Sequence, residues 1–370
     1  MHLLLEISTS QPEATSYSIG TNSIGNTLMA DAVARTVAAP VVLGAVAFSK
    51  PKETTRDHPL ASDEACNDLL NAFLDLGGEE LDTSRVYQNG NCEAVIGRVP
   101  AGRSIRVGTK YHPGLEGSPV AQMDQTLAAL NRDLVSIYYI HMPPTDIVME
   151  DTLAEMNACH EAGKFVEFGL SNFPAWQVVE ICQYCQRQGY VLPTVYQGVY
   201  NALNRTAEYE LIPVLRNYGI RYYTHGSLAS GFLTGKYKKG VAPVKGTDRF
   251  AQSRRVKQYE ERYLKRDEMF EALDAIERVS GDADISVLEA TVRWTQHHSV
   301  VDGALGDAIL IGVSRIEQLE PIMLASRNGP LPETVIEAFE LANDLVKMKS
   351  EYYLQYPYPK EGSPWRSRLE

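Results

Sequence analysis

The sequence predicts an α/β fold closed into a (β/α)8 TIM barrel, and three observations predict it. Short apolar strands alternate with helical runs along most of the 370 residues. Eight such strands are legible, each too short and too apolar for an antiparallel meander; parallel strands with right-handed crossovers close into a barrel at that number. The first strand continues as Val42-Leu-Gly-Ala-Val-Ala47. It therefore lacks the G-x-G-x-x-G turn that an open doubly wound sheet would carry there.

In chain order, the first strand lies within Pro40–Phe48, and the charged, breaker-rich Lys50–Pro59 is a loop. A helix runs from Asp63, a good N-cap, to Leu76. A very short strand then ends at Asp82 and leads to helix Glu93–Arg98. Strand Ile105–Lys110 precedes helix Val120–Arg132, and strand Ile137–His141 precedes helix Met149–Ala162. The next units are strand Phe165–Leu170 with helix Ala175–Gln188, and strand Thr194–Gln197 with helix Ala207–Tyr218. Strand Ile220–His225 opens a long loop. Helices Lys265–Val279 and Ser286–His298, strand Ala308–Ile311, helix Arg315–Ala325 and a C-terminal helix complete the set. The expected organisation is a poorly ordered extension over 1–39, one barrel domain over 40–354 and a tail over 355–370.

With 44% hydrophobic residues the chain can bury a large core. Its length would allow two domains, but single α/β barrels commonly reach this size. A net charge of -12 argues against nucleic acid or an anionic membrane as partner. An anionic cofactor needs only a local basic cluster and stays open. Cys66, Cys92, Cys159, Cys182 and Cys185 do not suggest a disulfide framework. Cys182 and Cys185 make a C-x-x-C inside a helical run, with no second pair or placed His, so packed free thiols are expected and no metal site. No segment has the uninterrupted apolar length of a membrane helix. Met1–Ala39 is polar and Ser/Thr-rich with Arg35 as its one basic residue, which fits neither a signal nor a transit peptide. Cytosol is the default location.

The chemistry concentrates at strand ends. An apolar helical run ends at Gly77-Gly-Glu-Glu-Leu-Asp-Thr-Ser-Arg-Val-Tyr87, which delivers Asp82 and, five positions later, Tyr87. Two later strands end in Lys110 and His141. Singly, these would read as a turn aspartate, a half-buried aromatic and a core histidine. In a barrel, however, reactive groups come from the C-terminal ends of different strands, where Asp82, Lys110 and His141 fall. Carbonyl reduction needs a hydride donor, an acid for the oxygen and electrostatic help for developing charge. A phenol, with a pKa of about 10, is a weak acid that a nearby ammonium would strengthen.

The ordered set resembles the catalytic tetrad of the aldo-keto reductases. Four further stretches are similar to the aflatoxin-aldehyde reductase branch, family 7: Gly163-Lys-Phe-Val-Glu-Phe-Gly-Leu-Ser-Asn-Phe-Pro-Ala-Trp176, Leu192-Pro-Thr-Val-Tyr-Gln-Gly-Val-Tyr-Asn201, Ser227-Leu-Ala-Ser-Gly-Phe-Leu-Thr-Gly-Lys-Tyr237 and Gly312-Val-Ser-Arg-Ile-Glu-Gln-Leu-Glu320. The likeness runs from about Val41 to about Tyr353. It implies Tyr87 as proton donor, Lys110 as the cation beside it, Asp82 as the carboxylate pairing with Lys110, and His141 orienting the carbonyl oxygen. It further implies Ser171, Asn172 and Gln197 at a nicotinamide carboxamide. The loop Gly226–Lys236, with Ser227, Leu228, Ser230, Gly231 and Lys236, would wrap a pyrophosphate. Gly312, Ser314, Arg315, Gln318 and Glu320 would hold a 2′-phosphate end, with Arg249 as a second clamp, so NADPH is the implied cofactor. Tyr259 and Arg262 match positions that line the substrate pocket, and the family suggests a homodimer.

Departures accompany the match. His225 stands where the family stacks a Tyr on the nicotinamide, and Gly226-Ser227 replaces an Asn-Pro. Ile322 replaces an Asn near the adenine end, Ser49 replaces a Gly, and the position of an acid-binding Arg aligns near Leu354. The expected function is NADPH-dependent reduction of an aldehyde or ketone. The alternatives are a tailoring reductase on a biosynthetic intermediate and a cofactor-binding regulatory subunit with little turnover.

Overall fold

The computed structural model describes residues 37–48, 60–144, 147–243, 250, 256–350 and 353. The expectations for 1–36, Ser49, the Lys50–Pro59 loop, Arg249, Leu354 and the tail lie outside the described residues.

Eight parallel strands close into a barrel in sequence order. They are β1 (Val41–Gly44), β2 (Glu80–Asp82), β3 (Arg106–Tyr111), β4 (Val135–Ile140), β5 (Phe165–Ser171), β6 (Pro193–Val199), β7 (Arg221–His225) and β8 (Ala308–Gly312). Between them run α1 (Asp63–Asp75), α2 (Asn91–Arg98), α3 (Pro100–Ser104), α4 (Pro119–Leu130), α5 (Met149–Glu161), α6 (Ala175–Gln188) and α7 (Leu211–Asn217). After β7 come α8 (Val256–Tyr259), α9 (Asp267–Asp282) and α10 (Val287–His297); α11 (Leu319–Ala325) and α12 (Glu333–Val346) follow β8. The expected barrel, the long loop after the seventh strand and the C-terminal helix are all present.

Period-two alternation sorts the strand residues into two layers. One set packs outward against the helices and forms the main core, with Leu43, Leu81, Val107, Tyr138, Leu170, Tyr196, Tyr222 and Ile309 among it. The other fills the barrel: Val42, Ile137, Tyr139, Val195, Tyr223 and Ala308 make a separate apolar cluster with Leu310 packed on it. Register carries the inward set upward, pairing Asp82 with Gly108, Lys110 with Tyr139, Ser171 with Gln197 and Val199 with His225. Residues one step above the apolar plug therefore face the barrel mouth.

Local chemistry shifts several boundaries. Strand β1 stops at Gly44 and turns into a 3-10 segment, Ala45–Ala47, rather than running to Phe48. Ser62, not Asp63, caps α1, its hydroxyl accepting the Ala65 N–H at 3.1 Å. Asp63 is the first helical residue, and its two oxygens take the Arg98 guanidinium at 2.7 Å each. Two expected helices break at their starts. The 207–218 run becomes a 3-10 turn, Thr206–Glu208, followed by α7, and the 315–325 run becomes Ile316–Gln318 followed by α11. Pro213 and Pro321 each lie in the first turn of the α-helix that does form. Proline has no N–H and clashes with the preceding turn, so an α-helix can begin at such a residue but not run through it.

Cys182 and Cys185 are free and buried in α6, and burial pushes each thiol up to about 12. Among the described residues no helix is long and apolar enough to cross a membrane, and no group of side chains could hold a metal ion.

Candidate active site

The lowest layer of the site is an ion pair. Asp82 ends β2 and Lys110 is the last inward residue of β3, so the closed sheet brings both to the barrel axis. Lys110 is 1% exposed. Its Nζ lies 2.6 Å from each Asp82 carboxylate oxygen and 2.8 Å from the Thr83 carbonyl. Three acceptors thus surround the three N–H bonds of the ammonium. Burial pulls the Lys110 pKa down while the Asp82 charge and hydrogen bonds oppose it. The Gln197 side-chain amide, from β6, donates to Asp82 Oδ1 at 2.8 Å and braces the pair from the far wall.

Two half-buried rings lie above it. Tyr87 follows β2 in a tight turn whose Gln88 and Asn89 have φ of 48° and 56°. Its N–H bonds the Ser84 carbonyl at 2.9 Å, which folds the ring back over the strand ends. The ring centre lies 5.4 Å from Lys110 Nζ. His141, one residue beyond β4, meets the Tyr87 ring edge-on, centroids 5.9 Å apart at 83°. The structure thus brings Asp82, Tyr87, Lys110 and His141 together.

Two further residues of this cluster went unread in the sequence. Ser84 Oγ lies 3.1 Å from His141 Nδ1. His112 stands edge-on to His141, centroids 5.2 Å apart at 85°. Burial lowers the His112 pKa. A signal was available for both: His112 is two residues past Lys110 and Ser84 two past Asp82, the strand period that returns a side chain to the same face.

On the opposite wall, Ser171 ends β5 and Asn172 follows with φ of 63°, a left-handed value that Asn tolerates. Asn172 Nδ2 donates to the His141 carbonyl and to Ser171 Oγ, both at 2.9 Å. Neither residue caps α6; Pro174 occupies that position. His225 ends β7, half-buried beside Val199 and Leu310 in register.

The loops after β7 and β8 carry the remaining candidates. Gly226 has φ of 74°, and its carbonyl accepts from Asn201 Nδ2 at 3.1 Å. Ser227 is buried near Thr224, Leu228 is half-buried, and the Ala229–Thr234 segment kinks through Ser230 and Gly231, with φ of 60° and 99°. Lys236 Nζ sits 4.8 Å from the Tyr237 ring centre. After β8, Gly312 is exposed, and the Ser314 N–H and Oγ–H donate to Gln318 Oε1 at 2.9 and 3.3 Å. Arg315 and Glu320 are exposed on the same rim, whereas Ile322 is buried in the core. Tyr259 is buried in a ring stack, 5.1 Å from Phe250, which itself lies 4.6 Å from Tyr237; Arg262 is half-buried one turn on.

A barrel mouth holding a buried ammonium–carboxylate pair beneath a phenol and an imidazole, with amides opposite and cationic glycine-rich loops at the rim, has the make-up of an oxidoreductase that uses a nicotinamide cofactor. Comparison with known proteins gives the family. Residues 40–344 match the model of the Aldo/keto reductase family. Human aldo-keto reductase family 7 member A3 is 40% identical over 306 residues, 78% of this chain and 91% of that protein. Human aflatoxin B1 aldehyde reductase member 2 is 38% identical, over 77% of this chain and 84% of that protein. Oxidoreductase sirO of Leptosphaeria maculans is 30% identical, over 85% and 97%. A glycerol dehydrogenase structure from Gluconobacter oxydans superposes with a TM-score of 0.63 at 18% identity, covering 90% of this chain and 99% of that one, a likeness of fold. The chain belongs to the aldo/keto reductase family.

Proposed function

We propose that this enzyme reduces an aldehyde or ketone to the alcohol with NADPH, and that Tyr87 donates the proton. The observation that carries the reading is the Lys110–Asp82 pair, sealed from solvent beneath the Tyr87 and His141 rings. A cation at that depth favours phenolate over phenol, so Tyr87 gives up its proton more readily than in water. His141, held edge-on to Tyr87, supplies the second polar contact for a carbonyl oxygen. Two donors aimed at one oxygen stabilise the charge it gains.

The cofactor reading rests on donor chemistry. Gln197 gives one amide N–H to Asp82, and Asn172 gives both of its own to the His141 carbonyl and Ser171 Oγ, so each amide oxygen serves as an acceptor. Ser171 Oγ accepts from Asn172 and keeps its O–H to donate. Two acceptors and a donor complement a carboxamide. Lys236 and Arg315 supply positive charge at the rim, suited to a pyrophosphate and a 2′-phosphate. Bound NADPH supplies the hydride for the carbonyl carbon. The aldehyde reductases among the relatives favour aldehydes as the first substrates to try. The test is NADPH consumption across a panel of aldehydes and ketones with product analysis. Alcohol should form in step with NADPH loss; no turnover on any member would overturn the reading.

A further inference from the structure

We propose that Ser84 is a positioning residue that fixes the tautomer of His141, holding its proton on Nε2, where it can be donated to a carbonyl oxygen. This rests on the carbonyl-reductase reading of the same site. Ser84 is fully buried between β2 and Tyr87. Its hydroxyl has two neighbours: the Val86 N–H, 3.4 Å from Oγ, and His141 Nδ1 at 3.1 Å. The Val86 amide can only donate, so it takes a lone pair of Oγ and leaves the Ser84 proton to be placed elsewhere. His141 Nδ1 is the acceptor within reach. A hydroxyl buried without an acceptor would carry a desolvation cost, so the satisfied arrangement is Oγ–H donating to Nδ1. A neutral imidazole that accepts at Nδ1 carries its proton at Nε2.

The opposite tautomer would make Ser84 Oγ accept twice and leave its own proton without a partner. It would also present a lone pair at Nε2, which repels a carbonyl oxygen instead of binding it. Other contacts hold the ring where this proton is useful. Asn172 grips the His141 carbonyl, the His141 N–H donates to the Tyr111 carbonyl at 2.9 Å, and Tyr87 and His112 stand edge-on to the ring. His112 shows the same logic, its Nδ1 accepting the Gly114 N–H at 3.0 Å. Backbone bonds and the flanking Tyr87 and His112 rings hold His141 in place, and Ser84 fixes which nitrogen is protonated.

The test combines imidazole 15N NMR on the full chain with kinetics, using Ser84→Ala and Ser84→Thr. In the parent, His141, assigned with His141→Gln, should show a proton on Nε2 and none on Nδ1. Ser84→Ala should give a tautomer mixture and lower kcat about 5-fold with NADPH affinity unchanged, while Ser84→Thr restores both. A parent His141 protonated at Nδ1, or a Ser84→Ala protein that keeps the Nε2–H tautomer, would overturn the proposal even if turnover fell. The NMR arm needs no substrate, so an absence of carbonyl turnover would count against the function alone.

Discussion

Lys110 brings a charge into a fully buried position, where its cost is offset by Asp82 and the Thr83 carbonyl. Lys110→Met should therefore do two things: abolish most turnover and strand the Asp82 carboxylate, costing about 3–5 kcal/mol of stability. Tyr87→Phe keeps the half-buried ring and removes only the hydroxyl. Single-turnover hydride transfer should fall by about 10²-fold or more, with NADPH affinity and melting temperature near the parent's. Near-parent transfer in Tyr87→Phe would remove Tyr87 from the mechanism. At the other end of the barrel, burial pushes the Glu80 carboxyl up to about 7, against the pull of Arg106 at 3.3 Å. Its folded pKa thus lies above the unfolded 4.5. The stability it contributes is complete below that value and is lost as pH rises through about 7. Urea midpoints at about pH 5 and about pH 8 should show the parent losing ground to Glu80→Gln across that interval; parallel changes would refute the assignment.

At the scale of elements, Gly169 of β5 leaves the space that the Tyr139 ring of its register partner on β4 occupies. A Cβ there would lie 2.2 Å from Tyr139 Cδ1, and Tyr139 is the large ring of the barrel plug, 5.4 Å below Lys110 Nζ. Gly169→Ala must move that ring or its strand, costing about 1–3 kcal/mol and disturbing the ion pair above. Equilibrium unfolding should show the loss of stability, with reduced turnover in the folded fraction. An unaltered protein would mean that the plug relaxes freely.

For the whole molecule, closure begins just before the first strand. The Ala39 carbonyl accepts from Gln296 Nε2 at 2.7 Å, the Pro40 carbonyl accepts from the Ile309 N–H at 2.9 Å, and a Cβ on Gly303 would meet the Val37 carbonyl at 2.6 Å. A chain starting at Val37 should keep its melting temperature and rate, whereas one starting at Val42 should lose stability through the severed bonds. Cofactor choice belongs to the rim of the assembled barrel. NADPH should bind more tightly than NADH in fluorescence titrations, and Arg315→Ala should narrow the difference. Equal affinities in the parent would remove Arg315 and Ser314 from phosphate recognition.

Strand number and the placing of Asp82, Lys110 and His141 at strand ends were legible in the sequence because they depend on short apolar runs and their limits, whereas grouping them with Tyr87 as one site rested on the family resemblance. Boundaries were less so where a single residue overrides the pattern, as Pro213 and Pro321 delay their helices and Ser62 takes the cap from Asp63. The bracing of Asp82 by Gln197, 115 positions away, and the meeting of Ser84 with His141, 57 positions away, depend on strand register. No local property of the chain encodes such a separation. It follows from closing eight strands with one stagger, which only the tertiary structure decides, and which turns strand-end residues into one site.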